Sequence, residues 1–77
     1  MGKELIEFIA RSLVTEADKV DVTTIEGNKS TILELKVAEN DTGKVIGKHG
    51  RVAKAIRTIL SAASNSSGKR LVLEILD

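Results

Sequence analysis

The hydrophobic period of this chain changes three times, and that succession restricts the fold more than any other feature. From Lys3 to Val14 the apolar residues Leu5, Ile6, Phe8, Ile9, Leu13 and Val14 recur at spacings of three and four, with Lys3, Glu4, Glu7 and Arg11 between them. This spacing predicts an amphipathic helix with its apolar stripe, Phe8 included, turned to the core. Val20 and Val22 then alternate with Asp21 and Thr23, and Leu33, Leu35 and Val37 alternate with Glu34 and Lys36. A period of two in β-branched sequence predicts strands, and Gly27-Asn28 between them predicts a hairpin turn. Asn40-Asp41-Thr42 is a run of helix-capping residues, and Gly43 to Ile46 leaves room for about one helical turn before Gly47 to Gly50 interrupts it. Helical spacing returns from Arg51 to about Ala63, with Val52, Ala55, Ile56, Ile59, Leu60 and Ala63 on one side. Ser64 to Gly68 reads as its end. Lys69 to Leu76 closes as a strand that is apolar on both faces, Leu71, Leu73 and Ile75 against Val72 and Leu76, and is predicted to be well covered.

The predicted order is α-β-β-α-α-β. Helices on one face of a three-stranded sheet make a two-layer α/β sandwich of the α+β class. Residues 1–77 are expected to form one domain with one small core, without repeats, linkers or any proline.

The chain has no cysteine, whereas a secreted domain this short usually carries disulfides, so a reducing, cytoplasmic setting is expected. Glu4, Glu7 and Arg11 interrupt any signal-peptide apolar run near the N-terminus. No stretch approaches the roughly 20 apolar residues that cross a bilayer. Charge is uneven along the chain. Residues 1–40 carry five Lys/Arg against eight Asp/Glu, and residues 41–70 carry seven (Lys44, Lys48, Arg51, Lys54, Arg57, Lys69, Arg70) against Asp41 alone. The basic stretch is either a solvated helix face or the footprint of a polyanion, and charge by itself leaves both open.

Gly-x-x-Gly is a weak signal when Gly makes up about 7% of ordinary sequence. Its setting adds to it. Gly47-Lys48-His49-Gly50 lies between a short and a long helix, after Val45-Ile46 and before the basic helix. Two glycines let another backbone approach closely, and the amides that open the next helix form an anion site suited to phosphate. Gly43-Lys44-Val45-Ile46-Gly47-Lys48-His49-Gly50-Arg51 resembles the core motif of KH domains, and the element order resembles the type II arrangement, with its mixed three-stranded sheet. Running from Met1 to Asp77 with nothing outside that pattern, the chain is most similar to the small stand-alone bacterial KH proteins of the KhpA (YlqC) family.

That resemblance implies a single-stranded RNA-binding module whose GXXG loop clamps the backbone of about four nucleotides beside a groove for bases. The residues it implies are Lys44, Ile46, Gly47, Lys48, His49, Gly50, Arg51, Lys54 and Arg57. Gly47 and Gly50 would allow close approach, Lys48 and His49 would face phosphate, and Ile46 would help floor the groove. Lys54 and Arg57 lie about 60° and 120° from Arg51, away from the Ile56–Ile59 side, and read equally as phosphate contacts or as a solvated face. The family also implies a bacterial post-transcriptional regulator or RNA chaperone, a homodimer, and pairing with a larger KhpB (Jag-type) protein. An alternative is a module acting mainly through those protein contacts, with Ala53, Leu60 and Ala62 beside the core stripe as candidate surface. No cofactor, metal or catalytic role is expected. His49 is the only histidine, there is no cysteine to complete a metal site, and no nucleophile–base pair or Gly-rich Lys-Ser/Thr phosphate loop is present. With Phe8 the sole aromatic, bases lack a ring platform, and affinity should rest on phosphate and fall steeply with salt.

Overall fold

The computed structural model describes residues 2–76, apart from the side chains of residues 65–67. The elements follow the predicted order: α1 (Gly2–Leu13), β1 (Asp21–Glu26), β2 (Ser30–Lys36), α2 (Thr42–Ile46), α3 (Arg51–Ser67) and β3 (Arg70–Ile75), with single 3-10 turns at 17–19, 39–41 and 48–50. The sheet order is β1-β2-β3. β1 and β2 are antiparallel, joined by a turn in which the Gly27 N–H donates to the Ser30 carbonyl at 2.8 Å. β2 and β3 are parallel, so a crossover must separate them, and α2, the glycine loop and α3 form it.

The core lies between the helices and one face of the sheet. Val22, Leu33, Leu35 and Leu73 reach up from the strands to meet Ile6 and Ala10 of α1, Val45 of α2, and Ile56 and Leu60 of α3. β2, paired on both sides, alternates buried and half-buried residues as a period of two requires. Among the described residues no element forms a second layer on the other face. Val72 is half-buried there and Leu76 is exposed, so the full cover expected for β3 holds on one face only.

Three further expectations change. Phe8 is 71% exposed. At 100° per residue it stands about 200° from Ile6, so it cannot share the stripe that Ile6 and Ala10 define. On α3 the buried side is Ala53, Ile56 and Leu60, while Ala55 is exposed and Ile59 is 46% exposed. Ala53 and Leu60 are therefore core residues rather than interface candidates, and of that trio only Ala62 is exposed. α3 also runs one turn past Ala63, because Gly68 supplies the stop: its φ is +79° and its N–H donates to the Ser64 carbonyl at 3.1 Å.

Asp41 is fully buried and charged. It stands at the N-cap position of α2 without capping that helix. Instead, Oδ1 accepts from the Thr15 N–H (3.2 Å), the Thr15 hydroxyl (2.9 Å) and the Lys44 ammonium (3.2 Å), and Oδ2 accepts from the Glu16 N–H (3.0 Å). Burial acts to raise its pKa, but the Glu16 amide, the Thr15 amide and hydroxyl, and Lys44 outweigh burial and hold the carboxyl down at about 2.

Two outcomes follow. Leu60→Ala should cost about 2–5 kcal/mol and Ile59→Ala less than about 1 kcal/mol, read from urea midpoints; equal losses would contradict the burial described for α3. Because the folded pKa of Asp41 lies below its ordinary 3.8, its contribution is complete above about pH 4 and disappears as pH falls toward about 2. Asp41→Asn should accordingly flatten that part of the acid-unfolding curve.

Candidate nucleic-acid interface

α2 ends at Ile46, and the backbone then leaves helical geometry. Gly47 has φ +81° and ψ 169°, His49 φ +58° and Gly50 φ +74°. The two glycines do different work. A Cβ on Gly47 would fall against Val52 Cγ2 and lie 2.8 Å from both Val52 Cβ and Val52 N. Gly47 is therefore demanded by the packing of the loop on its own helix as well as by its φ and ψ. Nothing lies within 4 Å of a Cβ on Gly50, so the space beside it is open to a ligand. His49 adopts the left-handed region without glycine's freedom, and its ring and the Lys48 chain are exposed.

The loop is closed by the Gly50 N–H donating to the Gly47 carbonyl at 3.1 Å, and the Arg51 N–H donates to the Lys48 carbonyl. Gly50 at the N-cap of α3 brings no side chain to the first turn. The positive end of a 17-residue helix thus faces the loop beside Lys48, His49 and Arg51, an arrangement that favours an anion.

From there Lys54, Arg57, Ser61 and Ser64 descend one flank of α3 at spacings of three, four and three, about 15 Å of helix. Arg57, Ser61 and Ser64 form one wall of an open groove of about 710 Å³ whose other side is Gly68, Lys69 and Arg70 with β3 from Leu71 to Leu73. β3 is an edge strand, so half its backbone polar groups point into this groove. The N–H groups of Arg70 and Leu76 donate toward β2, to the carbonyls of Lys29 and Leu35, which leaves odd-numbered residues facing outward. Two outward groups are taken: the Leu71 N–H donates to Ser64 Oγ at 2.8 Å, and the Leu73 carbonyl accepts from Arg57 at 3.4 Å. Between them the Leu71 carbonyl and the Leu73 N–H have no partner among the described residues. The groove thus offers one acceptor and one donor side by side, framed by a guanidinium and two hydroxyls.

Of the residues singled out from sequence, Gly47, Lys48, His49, Gly50 and Arg51 meet at the loop, and Lys54 and Arg57 lead from it to the groove. Lys44 is half-exposed and its ammonium is held by Asp41. Ile46 is exposed at the end of α2 and is not among the residues lining the groove, where Leu71 is half-buried and the Leu73 side chain is buried in the core. Ser61, Ser64, Lys69 and Arg70 were not selected. The signal for the last two was present, since they fall in the basic segment directly after Gly68. Lys69 is also ion-paired with Glu26 at 3.1 Å. Among the described residues no three His, Cys, Asp or Glu side chains are placed to hold a metal ion, and no helix is long and apolar enough to cross a membrane.

Residues 3–75 match the family model described as KhpA/KhpB, KH domain. The chain is 57% identical over 74 residues to RNA-binding protein KhpA of Borreliella burgdorferi, covering 96% of this chain and 90% of that one. It is 57% identical over 74 residues to RNA-binding protein KhpA of Clostridium acetobutylicum, covering 96% and 99%. Among solved structures it is similar to Era of Aquifex aeolicus, with a TM-score of 0.68 and 22% identity, over 96% of this chain but only 29% of that one. That likeness concerns the fold, which is the type II KH arrangement.

The unequal glycines yield a direct comparison. Gly47→Ala should destabilise by about 2–5 kcal/mol through backbone strain and collision with Val52. Gly50→Asn, in a left-handed position that Asn tolerates and with open space around it, should cost less than about 1 kcal/mol. Thermal or urea unfolding of the two variants checks this, and equal losses would contradict it.

Proposed function

The chain belongs to the KhpA/KhpB family of KH domains, and on that premise we propose that it binds single-stranded RNA, holding the backbone on the Gly47–Gly50 loop while bases enter the groove between α3 and β3. The observation that supports this most is the order of exposed groups along α3. Open space at Gly50 and the exposed side chains of Lys48, His49 and Arg51 lie at its start, Lys54 follows one turn on, and Arg57 is a wall of the groove with its free hydrogen-bonding groups. The loop and groove together suit a short unpaired segment of about four nucleotides. No aromatic ring lines the groove; Phe8 is on α1, which packs most on β1, at the opposite edge of the sheet from β3. Base affinity then comes from the half-buried Leu71, stacking on the Arg57 guanidinium and hydrogen bonds to the β3 edge. Phosphate contacts dominate the free energy and make it strongly salt-dependent. The function that suits such a binder is a cytoplasmic regulator or chaperone of RNA with no chemistry of its own.

A second reading, self-association or pairing with a larger KhpB-type protein, is favoured by one observation. Ala55, Ile59 and Ala62 are exposed at helical spacing on the side of α3 turned away from the groove. Small side chains around one large apolar residue would let a second α3 approach closely, and pairing there leaves both grooves open. A second binding surface also adds avidity on the same RNA.

One double variant addresses both readings. Lys48→Asp with His49→Asp reverses charge at the loop, keeps both glycines, and places Asp at a left-handed position it tolerates. RNA affinity measured by fluorescence anisotropy should fall more than about tenfold, with the circular dichroism spectrum and the sedimentation coefficient unchanged. Undiminished RNA binding would refute the loop mechanism, and a changed oligomeric state would place the loop in the protein contact.

A further inference from the structure

α2 has only five residues, too few to hold a helix by itself, and the loop that follows it contains three residues at positive φ. Its own hydrogen bonds and the contact of Gly47 with Val52 join the loop to α3, so what places its other end is the anchoring of α2. Two contacts of α2 can do this. Val45 is fully buried in the core, and Asp41 ties the start of the helix to the connector after α1, some 25 residues earlier in the chain. An Asp at an N-cap position ordinarily accepts from its own helix. Here the carboxylate turns away from α2 and takes both backbone amides of Thr15–Glu16, the Thr15 hydroxyl and the Lys44 ammonium. Lys44 reaches back from α2 to the same oxygen, so the first turn is held at two points and the ammonium faces Asp41.

We propose that Asp41 is a positioning residue for RNA binding: its buried carboxylate fixes α2, and with it the Gly47–Gly50 loop, relative to α3 and the groove, and Lys44 serves this clamp rather than a phosphate. The inference rests on the RNA-binding reading above. Neither Asp41 nor Lys44 needs to touch RNA for it to hold. When the clamp loosens, the loop spends part of its time away from the binding position, and affinity falls by the fraction still in place. The number of phosphates contacted in the bound state stays the same, and so does the salt dependence.

The test compares Asp41→Asn, Lys44→Gln and Lys48→Gln with the wild type. Binding of a fluorescein-labelled oligouridylate is measured over a series of KCl concentrations, at a temperature where circular dichroism shows each protein fully folded. Asp41→Asn should weaken binding about tenfold and Lys44→Gln about threefold, both with the wild-type slope of log affinity against log salt. Lys48→Gln, which removes a phosphate contact, should lower the slope by about one. If Asp41→Asn is not fully folded, Thr15→Val removes one donor to the carboxylate and should weaken binding two- to threefold at unchanged slope, on the order expected for a partial loss of the bound-state population. Wild-type affinity in a folded Asp41→Asn or Thr15→Val protein would overturn the proposal, as would a slope lowered by a full unit in Lys44→Gln. Failure of the wild type itself to bind the oligonucleotide would instead refute the RNA-binding reading.

Discussion

The parallel pairing of β2 with β3 is the constraint on which the rest of the structure depends. An antiparallel partner could have followed from a short turn, as β2 follows β1 after three residues, but a parallel partner obliges the chain to travel back along the sheet before it can pair again. That return is made by α2, the glycine loop and α3. It places the loop in the crossover and α3 alongside β3. It also leaves β3 at the sheet edge, with one row of backbone groups bonded to β2 and the other open. The place of the helix start behind the loop, the flank of α3 beside β3 and the free strand edge are thus three consequences of a single pairing choice.

Charge is divided along the same line. The acidic first half of the chain supplies α1, the hairpin and the connectors, and the basic segment from Lys44 to Arg70 supplies the loop, α3 and the start of β3. Asp41 lies just before this basic segment, and the Lys44 ammonium and the two amides on its carboxylate offset the charge it would otherwise set against a polyanion. A buried carboxylate is costly unless all its lone pairs find donors. The two amides, hydroxyl and ammonium around Asp41 meet that requirement, and they come from both sides of the hairpin in sequence.

Much of this was legible in the residues. Period changes gave the six elements and their order, because a helix stripe and an alternating strand leave different marks even in short segments. The loop was legible because glycine interrupts an otherwise continuous helical pattern. The exposed side of α3 was not. Val52, Ala55, Ile56, Ile59, Leu60 and Ala63 span too wide an arc for spacing to say which residues face the sheet, and Ala53, small and unremarkable in sequence, turned out to be buried. Phe8 was misplaced for a related reason, since hydrophobicity argues for burial while angular position argues against it. The direction of the Asp41 side chain was hidden altogether. Asn40-Asp41-Thr42 reads as a helix start, and nothing local announces that the carboxylate bonds Thr15 and Glu16 instead. The groove was hidden because Ser61 and Ser64 become neighbours of Leu71 and Leu73 only when α3 packs beside β3.

The absence of aromatic side chains from the groove changes what kind of base reader it can be. Aromatic platforms hold any base by its face, and selectivity is then added by polar groups at the rim. In this groove the fixed elements are backbone groups of an edge strand: the Leu73 N–H and the Leu71 carbonyl, held in place by the neighbouring bonds from Leu71 to Ser64 and from Arg57 to Leu73. Backbone groups cannot swing to suit a ligand, so in the proposed binding mode a base edge with its own acceptor and donor in the matching order would be favoured over one with the order reversed. In the proposed binding mode such discrimination would act at one nucleotide, while the loop and α3 would hold the phosphates of its neighbours whatever their sequence. A surface built this way would read little sequence, because one acceptor and one donor can distinguish few base edges.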